Sequence, residues 1–123
     1  MGPKKRTIFH EVIENEEHFK NIVFNEENEK LVIIDAHLDW CGPCLAMVPN
    51  YVNIWFSIDE PAQRISFWHA SETVIPEETK EELKLNNVPR FLIYYKGELK
   101  SEIKGAKYVE LEKSIKESLP QHD

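Results

Sequence analysis

The sequence predicts an α/β fold, a mixed central β-sheet flanked by helices on both faces. Three observations predict it. "KLVIIDAHL" at 30–38 is almost unbroken apolar sequence, the pattern of a strand covered from both sides. Strand-like and helix-like stretches alternate along most of the chain, and two strands then meet at Gly97 ahead of a last helix. The length, 123 residues with 41% hydrophobic and 11% aromatic side chains, suffices for one ordinary core without cross-links.

"TIFHEVI" at 7–13, rich in β-branched and aromatic residues, opens as a short strand. Asn15 then caps a helix in which Phe19, Ile22 and Val23 share one face. The apolar run at 30–38 is the central strand. From Pro43 onward "PCLAMVPNYVNIWFSI" carries apolar residues at helical spacing, with Pro43 tolerated in the first turn and Pro49 placed to kink the helix. "RISFWHA" at 64–70 is the next strand, and Pro76 opens a charged helix, "PEETKEELKL" at 76–85. "RFLIYYKGELKSEIKG" gives two strands around Gly97, which suits a tight hairpin turn. Tyr108, Leu111, Ile115 and Leu119 lie on one face of the closing helix. No repeat or internal linker interrupts this order. One domain is expected over 7–119, between a basic tail at 1–6 and a short tail at 120–123.

Twenty-two acidic against fifteen basic residues give a net charge of -7, which repels nucleic acid and anionic lipid. No apolar run approaches the roughly 18 residues of a membrane span. The start of the chain lacks the apolar stretch of a secretory signal. A cytoplasmic protein with no nucleic-acid or membrane partner is therefore expected. "PKKR" at 3–6 reads as a solvated tail rather than a nuclear address, and Thr7 falls one place late for the serine or threonine of an N-myristoylation signal.

The two cysteines stand in "DWCGPCLAMVP", with Gly42 and Pro43 between Cys41 and Cys44. Cytosolic cysteine pairs are more often catalytic or metal-binding than permanently joined. Residues three apart on a helix share a face, so the two sulfurs can meet. At a helix start, unpaired N–H groups and the helix dipole favour a thiolate, which makes Cys41 the natural nucleophile. Cys44, one turn deeper, would stay protonated until it resolves a mixed disulfide, and that step needs a proton acceptor. Asp35 is the candidate, the one charged residue inside "LVIIDAHL". Its central place in the run favours a carboxylate with raised pKa, suited to proton exchange near neutral pH, over a capped aspartate at a strand end. A zinc site would need more than the two thiolates. His37 is the nearest further ligand, yet on an extended strand it need not face the thiols. His10, His18, His69 and His122 are scattered and read as surface or packed residues.

"WCGPC" after an apolar strand resembles the thioredoxin active site, and the resemblance runs from about Phe9 to Leu119. Asp35 stands where thioredoxins bury an aspartate, and Pro49 where they kink the active-site helix. "NNVPRFLIYYKGE" is similar to their "VPTxxxF" strand and glycine turn, and "IKGA" at 103–106 to the end of their last strand. The resemblance implies the thioredoxin fold. It implies protein-disulfide reduction by a reversible Cys41–Cys44 disulfide, with no metal or organic cofactor and with an external thioredoxin reductase for recycling. It implies a cis bond before Pro89, facing the cysteines, with the backbone of Val88 pairing with a disulfide-containing protein substrate. Trp40 becomes a shield beside the nucleophile, and the Gly42–Pro43 pair favours reduction over oxidative folding.

Departures from the family pattern bear on function. Leu45 replaces a basic residue after the second cysteine, and Arg90 replaces threonine after the expected cis proline. Arg90 is read either as a stabiliser of the Cys41 thiolate or as a solvent-facing side chain. Where a lysine often neighbours the buried aspartate this chain has "FWHA", with Trp68 the expected occupant. Trp55 and Trp68 are expected in the core. "ISFWHASE", "WCGPC" and "PRFLIYYKGEL" together resemble the thioredoxin-like light chains of axonemal outer-arm dynein and thioredoxin domains linked to nucleoside-diphosphate kinases. That resemblance implies an alternative: a redox-sensing or structural subunit bound to a dynein heavy chain in a cilium or axoneme.

Overall fold

The structure, a computed structural model, describes residues 11–37, 48–84, 90–105 and 107–119. The elements are β1 (Glu11–Val12), α1 (Glu16–Val23), β2 (Leu31–His37), α2 (Val48–Ser57), α3 (Pro61–Arg64), β3 (Ile65–Ser71), α4 (Glu77–Leu83), β4 (Arg90–Tyr95), β5 (Glu98–Lys104) and α5 (Tyr108–Ser118). The five strands form one sheet in the order β1-β3-β2-β4-β5. β1 and β2 run parallel to β3, whereas β4 runs antiparallel to both β2 and β5.

β2 is central, as its unbroken apolar sequence requires. Alternate residues serve opposite cores. Leu31 and Ile33 join Tyr51 and Ile54 of α2 and Leu111 and Ile115 of α5 on one face. Val32, Ile34 and Ala36 join Phe19 and Val23 of α1 on the other. Each large aliphatic side chain removed from water in this way contributes about 1.5–3 kcal/mol. The β5 edge is protected by charge, "ELKSEIK" being mostly exposed.

Local chemistry sets the boundaries. Asn15 Oδ1 accepts the His18 N–H at 2.8 Å and so caps α1. Pro76 occupies the N-cap of α4, and Lys84 ends that helix in a left-handed conformation. The β4–β5 turn holds Lys96 at φ 49° and Gly97 at φ 84°, both positive as a type I′ hairpin demands. Gly105, at φ 88°, follows the end of β5.

α3 lies outside the expected elements. "PAQR" offers a proline for a first turn but is too short to show helical periodicity, and none of its residues is buried. Residues 7–10 of the expected first strand lie outside the described residues. So does the stretch 38–47, where the helix is expected to open at Pro43, whereas Pro49 falls in the first turn of α2.

Candidate functional site

Asp35 lies near the end of β2 on the face covered by α2 and is 2% exposed. Two polar side chains reach its Oδ2 atom. Tyr51, from the second turn of α2, donates its hydroxyl proton to Oδ2 at 2.9 Å. His69 is paired with Asp35 in the parallel β2–β3 register and is 7% exposed. Its Nδ1 lies 3.3 Å from the same oxygen, a charge contact rather than an aligned hydrogen bond.

The surroundings hold this group still. The Tyr51 ring stacks on Phe67 with centroids 4.7 Å apart and meets Phe91 edge-on at 6.5 Å. Burial first, then the negative charge of Asp35, pushes the Tyr51 phenol well above its usual range. Tyr51 is therefore a permanent donor to the carboxylate. An aspartate fixed in this way, away from bulk water, can exchange a proton with a neighbouring acid without reorganising its partners.

Two expectations about the neighbours are corrected. Strand alternation puts Ile65, Phe67 and His69 on the Asp35 face and turns Trp68 to the other, where it packs beside the second core and meets His18 edge-on at 5.4 Å. The residue beside the aspartate is thus His69, not Trp68. Trp55 and Trp68 are both half-buried against the cores, as expected.

Arg90 is not solvent-facing, being 3% exposed. Its guanidinium donates to the carbonyls of Leu83 and, at 2.6 Å, of Lys84, and to Glu102 Oε2 at 3.0 Å. These carbonyls belong to the C-terminal end of α4, where intrahelical partners run out and a cation is favoured. Arg90 alternates with Leu92 and Tyr94 and so lies across the sheet from Asp35. Its expected effect on Cys41 concerns a residue outside the described ones. Outside them too are Trp40, Gly42, Pro43, Cys44, Leu45, Val88 and Pro89, and the side chain of His37. Among the described residues no three His, Cys, Asp or Glu side chains converge as a metal centre.

The structure therefore brings Asp35 together with Tyr51 and His69, two residues that sequence reasoning did not assign to the site. Tyr51 fits the apolar pattern of its helix and passes as core. His69 carries a signal only once the β2–β3 register is known.

Comparison with known proteins places this geometry in context. The thioredoxin family model matches residues 10–117. Thioredoxin-1 of Schizosaccharomyces pombe is 31% identical over 113 residues, covering 87% of this chain and 96% of that protein. The thioredoxin domain-containing protein 3 homolog of Ciona intestinalis is 31% identical over 119 residues, 97% of this chain but only 17% of that protein. A flagellar outer-arm dynein 16 kDa light chain of Chlamydomonas reinhardtii is 30% identical over 76 residues, 62% of this chain and 49% of that one. Among solved structures, the thioredoxin NaTrxh of Nicotiana alata superposes with a TM-score of 0.72 over 97% of this chain and 100% of its own, at 21% identity, a likeness of fold.

Proposed function

The chain belongs to the thioredoxin family, and from that premise we propose that it is a thiol-disulfide oxidoreductase that reduces protein disulfides through Cys41 and Cys44. The Cys41 thiolate attacks a substrate disulfide, forming a mixed disulfide and releasing one substrate thiolate, which takes up a proton. Cys44 then gives its proton to Asp35 and attacks the Cys41 sulfur. The intramolecular disulfide forms, the second substrate thiolate leaves, and the proton held at Asp35 passes to it. Two electrons have moved from Cys41 and Cys44 to the substrate, with one proton from the Cys44 thiol by way of Asp35 and the other from solvent. Trp40, Gly42 and Pro43 shape the nucleophile's surroundings, and Val88 and Pro89 dock the substrate backbone. A thioredoxin reductase restores the dithiol, and no bound cofactor takes part.

The observation that carries this reading is the buried Asp35 carboxylate, held by Tyr51 near the end of β2 where the resemblance to thioredoxins expects the proton acceptor. The test is insulin reduction with dithiothreitol as recycling reductant, beside Cys41→Ser. Cys41-dependent turnover well above the uncatalysed rate is expected. Equal rates for wild type and variant would overturn the reading.

The similarity to the Chlamydomonas dynein light chain favours a second reading, in which the domain is a light chain that contacts a dynein heavy chain in the axoneme. Under a structural form of that reading, a Cys41→Ser, Cys44→Ser double variant still co-purifies with heavy chain. Purification of the protein alone from ciliated cells would count against it.

A further inference from the structure

We draw no further inference here: the strongest candidate, the groove along the start of β3 lined by Ile22, Lys30, Trp55, Ser66 and Trp68, reaches Glu11, where the described residues begin, and nothing in the structure shows what covers it.

Discussion

Replacing Arg90 with methionine removes the guanidinium but keeps a long apolar stem in place. Three acceptors lose a charged donor: the carbonyls of Leu83 and Lys84 and the Glu102 carboxylate. Lys84 is exposed, so water can replace the bond to its carbonyl. The Leu83 carbonyl and the Glu102 side chain, which is 24% exposed, are harder to rehydrate. Each charge-assisted hydrogen bond is worth about 1.5–3 kcal/mol, and breaking a buried pair costs about 3–5 kcal/mol. An expected loss of about 3–4 kcal/mol follows, a large share of the roughly 5–15 kcal/mol that stabilises a domain. Urea unfolding followed by tryptophan fluorescence measures it. Part of the loss is the penalty of leaving Glu102 unpaired, so Arg90→Met with Glu102→Gln should be at least about 1 kcal/mol better than the sum of the single changes. A single-variant loss below about 1 kcal/mol, or strict additivity, would refute the reasoning.

Other predictions concern alkali, the hairpin and a cap. Burial, then Glu82 and Glu102, push the Tyr94 phenol up to about 12 from 10.0, and Tyr51 is raised further. The folded protein keeps both protons where the unfolded chain loses them. Stability is therefore full below about pH 10 and falls above it by about 1.4 kcal/mol per pH unit for each tyrosine, which denaturation at pH 9 and pH 11 would show. Tyr51→Phe should remove one of the two slopes. Gly97→Ala should cost about 1–2 kcal/mol, because a side chain is forced to φ 84° with its Cβ 3.4 Å from the Phe24 carbonyl oxygen. Asn15→Ala should cost about 1 kcal/mol by thermal unfolding through loss of the α1 cap.

The parts of the fold that sequence reading recovered are those written as local patterns. An apolar run without alternation located β2 at the centre, Gly97 located the hairpin, and the spacing of Tyr108, Leu111 and Ile115 located the inner face of α5. Parts that depend on pairing between distant strands were harder to read. Assigning Trp68 rather than His69 to the place beside Asp35 is a one-residue error, and in a strand one residue exchanges the two faces of the sheet. The burial of Arg90 was hidden for a related reason, since its partners stand six to twelve residues away on α4 and β5. Tyr51 was concealed by its own chemistry: one ring serves as core while its hydroxyl serves the carboxylate. Of Asp35, Tyr51 and His69, Asp35 alone was singled out in the sequence, as the one charge inside the apolar run that forms β2.

The central claim is that Cys41 and Cys44 form and break one internal disulfide. The most direct measurement equilibrates the protein across a series of dithiothreitol redox buffers, traps free thiols by alkylation and weighs the products by mass spectrometry. The account predicts that both thiols disappear together along a single two-electron curve, leaving a monomer lighter by two hydrogens. Thiols that stay open to alkylation under oxidising conditions, or that oxidise only by joining two chains, would contradict it.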